Sequence, residues 1–196
     1  MANTKSWKGL KVAGPLLGCH LYECGATYAT SFFIGDPVLL TGTSNQVTTA
    51  VAGSTNPILG SVLGIYDANK IPGWQLSTGE RANYKPGSSL GKAYILVADH
   101  PRQIFIAQGD GDTSYLDLDD QGGNVALVAL STGGEISGIS QWSLNDSDTA
   151  NTVMTEQIRL IRPVDRPDNT VAIAYCDWYC FINYHQLNAG IVGAGV

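Results

Sequence analysis

Hydrophobic positions along this 196-residue chain fall in short runs, and no helical period emerges from them. The strongest runs are Ala93–Ala98 (AYILVA) and Gln103–Gln108 (QIFIAQ), both read as strands. Asp99-His100-Pro101-Arg102 joins them, with His100-Pro101 in a hairpin turn. In the second strand Gln103, Phe105 and Ala107 point one way, and Ile104, Ile106 and Gln108 the other. The stretch PILGSVLGIY, 57–66, reads as a buried strand whose two glycines permit bending or close sheet contact. Gly35-Asp36-Pro37 bends the run FFIGDPVLL: the Asp caps a turn and the fixed φ of Pro37 starts a strand over Val38–Leu40. The Thr/Ser/Asn/Gly-rich residues 41–56 then suit a hairpin or an exposed ribbon.

Further strands are expected over Val125–Leu130, near Thr155–Ile161, and over 171–184 (VAIAYCDWYCFINY). The last is apolar on both faces, which fits a central or neighbour-covered strand. Residues 1–30 read as irregular. Asp67 to Gly91 is a turn-rich insertion, part of which, around Arg81–Lys85, is expected to pair as a short strand or to cover another subunit. About nine to eleven short strands at this spacing predict an all-β chain, a single β-barrel-like or sandwich domain. The expected organisation is an N-terminal arm and lead-in segment (1–30), the all-β domain (31–188) and a short apolar C-terminal tail (189–196).

Charge changes the picture of the surface. Charged residues are 14% of the chain and hydrophobic ones 44%, where a charged share of about 25% is usual. Exposed faces must therefore be covered by Thr, Ser, Asn and Gly or by partner proteins. The formal charge of −6 argues against direct nucleic-acid binding by the body. Lys5, Lys8 and Lys11 nevertheless cluster beside Trp7 and Leu10, either as an arm lying on an acidic neighbour or as a frayed terminus kept soluble. No apolar run suits a membrane span or a signal peptide, so neither is expected.

Candidate chemistry is sparse. Cys19/Cys24 and Cys176/Cys180 lack CxxC spacing. Cys176, Trp178 and Cys180 would share a strand face, so buried free thiols are the favoured reading over disulfides or a metal. Cys19 or Cys24 with His185 would make a nucleophile pair on paper, yet GxSxG, HExxH and GxxxxGK[ST] are all absent. No catalytic residue, metal or cofactor is assigned. The acidic loop Asp110–Asp120 puts Asp110, Asp112 and Ser114 at the first, third and fifth positions of a calcium loop. Tyr115 at the sixth and Gln121 at the twelfth rule out the helix-flanked form. A solvated loop or a cross-subunit acidic patch is favoured, with an irregular calcium site left open. Among the tryptophans, Trp178 reads as core. Trp7, Trp74, Trp142 and Trp178, with the tyrosines and Arg81 or Arg102, could line a carbohydrate groove or serve core and interface packing. Trp74, in a Pro/Gly-rich loop, is the candidate interface or ligand residue, with interface favoured.

Several stretches, in order, resemble the small capsid decoration (cement) proteins of tailed bacteriophages. They are Gly9-Leu10-Lys11, Gly35-Asp36-Pro37-Val38, PILGSVLGI at 57–65 and AYILVADHPRQIFIAQ at 93–108. Asn124, the Ser/Thr run near 147–152, IRLIRPVDRPDN at 158–169, Trp178 and Asn183-Tyr184-His185-Gln186 complete the set. The resemblance implies a non-enzymatic virion structural protein, made in the host bacterial cytoplasm, that binds the outer surface of the icosahedral head. There it would stabilise the major capsid protein lattice, as a homotrimer with an extended N-terminal arm. By the same resemblance Gly9, Leu10 and Lys11 belong to the arm, and with Lys5, Trp7 and Lys8 from the basic start they are the candidate capsid- or subunit-contacting residues. Asp36 and Pro37 turn the chain into the barrel. Arg166, Pro167, Asp168 and Asn169 shape the loop before the final strand, which carries Trp178 and ends at His185 and Gln186. Four cysteines, the Trp74 loop and the tail depart from the pattern. The alternatives are a virion-surface carbohydrate-binding module and a small all-β enzyme using a Cys/His pair.

Overall fold

In a computed structural model the chain is all-β, its strands following the short apolar runs. The structure describes residues 3–26, 29–42, 44–53, 56–88, 91–112, 114–129, 137–147 and 156–188. The apolar tail 189–196 and the polar residues 148–155 lie outside the described residues. In chain order the strands begin with β1 (Lys11–Val12), β2 (His20–Cys24), β3 (Pro37–Leu40), β4 (Val47–Thr49), β5 (Gly60–Tyr66), β6 (Trp74–Gln75) and β7 (Arg81–Ala82). They continue with β8 (Ala93–Ala98), β9 (Phe105–Gln108), β10 (Asn124–Val125), β11 (Leu127–Ala129), β12 (Trp142–Leu144), β13 (Ile158–Pro163) and β14 (Asp177–Ile182). Among the described residues a single 3-10 turn, Leu118–Asp120, is capped by Asp117.

Two five-stranded antiparallel sheets carry the domain. The first has the order β1-β9-β14-β13-β10, the second β2-β8-β5-β3-β4. Both curl towards closure, which relieves the exposed edges of an open sheet. In the second, a parallel bridge between Glu23 and Gln46 joins the two edge strands, and Glu23 N donates to Asn45 O at 2.8 Å. Its interior is filled by Val38, Val47, Val62, Ile95 and Val97, each essentially inaccessible to solvent. Full burial of each such side chain is worth about 1.5–3 kcal/mol. Beside the first, β11 and β12 pair as a separate two-stranded sheet, and Leu144 at the end of β12 bridges Gly109 just after β9. Phe105, Ile158, Leu160, Trp178 and Cys180 form the core of the first sheet, and Leu10, Ile58 and Ala98 pack into the same cluster.

The expected strand Ala93–Ala98 matches β8 to the residue, and β14 is central between β9 and β13. Arg81–Ala82 pairs with Trp74–Gln75, the short strand expected in the long insertion. Three expectations are corrected. First, β8 and β9 are not a hairpin: β8 lies in the second sheet and β9 in the first. Asp99, anchored by Tyr22 OH at 2.6 Å and His20 Nδ1 at 2.7 Å, turns the chain out of one sheet and towards the other. Second, β14 begins at Asp177 rather than near Val171. Ala172 and Tyr175 take positive φ, and the carbonyls of Thr170, Ala174 and Tyr175 are captured by the Asn3 and Gln108 side-chain amides. Third, residues 3–12 are not an arm reaching outward. Leu10 is buried in the core and Lys11–Val12 pairs with Phe105–Ile106.

Candidate functional site

The face built by the N-terminal segment collects most of the residues singled out by the resemblance. At its centre is Asp177, 0% exposed at the start of β14. Lys8 Nζ donates to Asp177 Oδ1 at 2.6 Å, and Arg166 Nη2 to Oδ2 at 2.9 Å. Gln108 Nε2 adds a bond to Oδ1 at 3.1 Å, while its Oε1 accepts from Ser6 N at 2.8 Å. A buried carboxylate survives desolvation only when its oxygens are paired in this way. Pro167 and Asp168 are the central pair of a turn closed by Asn169 N→Arg166 O at 3.1 Å. Asn169 then brackets the strand start, donating to Asp177 O at 2.9 Å and accepting from Asp177 N at 2.8 Å. Lys5 lies over the Trp7 ring, 4.1 Å from its centroid.

Gly9 and Gly35 make a second crossing on this face. Leu10 N donates to Gly35 O at 2.9 Å. Both glycines take positive φ, and a Cβ on either would collide with the other segment's backbone: the Gly35 carbonyl for Gly9, the Lys8 carbonyl for Gly35. Asp36 follows, buried, with Oδ2 accepting from Phe33 N at 2.8 Å. Beside the crossing runs a groove of ≈ 570 Å³ lined by Trp7, Val12, Ile34, Leu63, Ile106 and Ile139. Lys8, Lys11 and Arg166 also line it.

Further along the same edge, Gln103 is 1% exposed and works as a four-point clamp. Its Nε2 donates to Ala13 O (3.4 Å), Pro15 O (3.3 Å) and Ile104 O (3.0 Å), and its Oε1 accepts from Leu17 N at 2.9 Å. The clamp fixes a segment whose Leu16 and Leu17 are 46% and 49% exposed, next to Ile104 at 41%. Nothing in the residue pattern marked Gln103 or Asp177, since Lys8 is 169 positions from Asp177 and Leu17 is 86 from Gln103.

Other candidates are taken up by the fold. Trp74 is in the core of the second sheet, 9% exposed, with Lys85 Nζ 5.4 Å from its ring centroid. That removes it as an exposed interface or sugar-stacking residue. Arg81 is spent on Asp67 and on the carbonyls of Pro72 and Gly73. Gln186 Oε1 accepts from Leu40 N at 2.6 Å, and His185 is buried with Ile58 bridging it. His185 Nδ1 accepts from Leu187 N at 3.0 Å, and burial pushes the ring down to about 4, so it stays neutral near pH 7. The Cys24–His185 pair does not form. His185 lies by Asp99, which bonds His20 at one end of β2, and Cys24 is at the other end, about 13 Å along the strand. Cys19, Cys24, Cys176 and Cys180 are free thiols. Burial raises Cys24, takes Cys176 up to about 11 and Cys180 up to about 12, which keeps all three protonated and poor nucleophiles. Asp110, Asp112 and Asp146 form the one acidic group among the described residues close enough to hold a metal ion. No helix among those residues is long and apolar enough to cross a membrane.

Neither a protein-family description nor any curated protein matches this chain.

Proposed function

We propose that this protein is a non-enzymatic assembly component: a decoration protein on the outer face of a tailed-bacteriophage head, binding the major capsid protein lattice, in groups of three. The observation that carries the assembly reading is the Gln103 clamp. A fully buried polar side chain holds Leu16 and Leu17 in fixed positions in water. Presenting apolar side chains rigidly lowers the ordering cost of binding another protein surface, and exposed apolar material of this kind is characteristic of contact sites. The ordered resemblance of the motifs supplies the virion context. Low charge suits a subunit whose surface is shared, and many copies on a lattice turn weak contacts into firm attachment. The capsid contact passes from an arm to the Leu16–Leu17 face, because residues 3–12 are committed to the chain's own Asp177, Gly35 and β9.

The test is co-sedimentation of the full chain with cognate heads that lack it, using wild type and a Leu16→Ser/Leu17→Ser variant. Wild type binds saturably, and the variant loses at least tenfold in affinity while keeping its melting temperature. Absence of wild-type binding, or equal binding by both, contradicts the proposal.

A further inference from the structure

The seam that closes the first sheet brings together acid groups from two distant segments. Leu144 bridges Gly109, and Asp110 N donates to Leu144 O at 3.0 Å. Just past this bridge the chain carries Asp146 on one side and Asp110 and Asp112 on the other. One carboxylate oxygen from each lies within 4.8 Å of the others. Asp146 is 5% exposed, its Oδ2 accepts from Gly111 N at 3.0 Å, and its Oδ1 is buried with no hydrogen-bond partner. Gly109 gives the carboxylate room, for a Cβ there would stand 2.7 Å from Asp146 Oδ2.

This arrangement is unfavourable by itself. A buried acceptor without a donor costs about 1–3 kcal/mol, and like charges converge on it. A bound cation answers both problems: it gives the buried oxygen a partner and neutralises the neighbouring carboxylates.

We propose that Asp110, Asp112 and Asp146 form a calcium site that locks the seam between β9 and β12. Calcium takes oxygen ligands at about 2.3–2.6 Å, so two ligands on opposite sides of one ion stand up to about 5.2 Å apart. The observed spread fits within that limit. Asp112 is exposed and Asp110 half-buried, so water completes the shell on that side. The loop's irregular geometry suits calcium better than magnesium, which demands a near-ideal octahedron. Three carboxylates and an open side place the affinity among weak sites, with Kd about 10⁻⁴–10⁻³ M. The D-x-D spacing supplies two ligands. The third is brought by sheet closure, which no local pattern encodes.

The experiment is a terbium(III) titration of the full chain, excited through tyrosine and competed with calcium. The Tyr175 ring lies against Gly111, close enough to sensitise a bound lanthanide. The expected result is saturable luminescence at one ion per chain, displaced by calcium, and a melting temperature raised by a few degrees in 10 mM calcium (roughly tenfold or more above that Kd). Asp112→Asn and Asp146→Asn each weaken binding at least tenfold, while Asp165→Asn, exposed and outside the cluster, binds as wild type. Asp112 is on the surface, so its variant decides the matter even if the buried Asp146→Asn chain fails to fold. Absence of saturable luminescence, or binding unchanged in Asp112→Asn, overturns the site.

Discussion

Lys8 and Arg166 share one carboxylate but not one environment. The Lys8 side chain is 14% exposed and the Arg166 side chain 44%, against 1% for Asp177. Removing Lys8 leaves a buried oxygen with only the Gln108 amide, so Lys8→Ala is expected to cost about 1–3 kcal/mol. Arg166→Ala loses a solvent-screened contact and is expected to cost less than about 1 kcal/mol. Urea denaturation of the two variants checks this order, and an equal or reversed loss contradicts it. Asp36 gives a pH signature. Burial raises its carboxyl to about 7, against hydrogen bonds from Ser140 and Phe33 that pull it down. The folded chain thus holds a proton that the unfolded chain releases near pH 4, and stability from this group falls as pH rises from about 4 to 7. Asn keeps an acceptor for Phe33 N and does not titrate. Asp36→Asn should therefore gain on wild type by a few kcal/mol between pH 4 and pH 8, and parallel stability profiles would refute it. The opposite slope from His185 is common to both chains and cancels. The basic start was legible as a partner for an acidic group. That the group is Asp177 of the same chain was not, because a sequence does not say which of thirteen aspartates is buried.

The N-terminal segment is an element of the fold. It contributes the Leu10 side chain to the core, the β1 edge to β9, and one half of the Gly9–Gly35 crossing. Deleting residues 1–12 removes all three together with Lys8. The expected loss exceeds about 3 kcal/mol, since a buried leucine alone is worth about 2–5 kcal/mol on truncation to alanine. Hydrogen exchange should then accelerate first along β9. A truncated chain that melts at the wild-type temperature would show the segment to be a separable arm. Strand identity was readable where apolar residues are dense, as in β5, β8 and β14. The β8–β9 connection was misread as a hairpin because a short polar turn looks alike whether it returns to its own sheet or crosses to another. What decides is burial of Asp99 and Gln103 by partners far along the chain. β2 was hidden for a related reason: its alternation is short and partly polar, and its pairing with β8 is non-local.

At the scale of the whole molecule, low charge and all-β architecture belong together. Two sheets that curl towards closure leave few strand edges to protect with lysine, and their turns are covered by Thr, Ser, Asn and Gly. Among the exposed apolar side chains, Leu16 and Leu17 are an adjacent pair held by the Gln103 clamp. They give the assembly reading a surface that the sequence had allotted to the basic arm and to Trp74. The acidic seam lies elsewhere, at the β9–β12 closure, so the two proposed roles, capsid attachment and calcium binding, should be separable by mutation. The most direct measurement is a cryo-EM reconstruction of heads carrying the protein. The account predicts trimeric all-β density on the outer surface, with residues 3–12 folded against their own subunit and Leu16–Leu17 seated on the major capsid protein. Heads without such density, or density attached through an N-terminal arm stretched across neighbouring subunits, would contradict it.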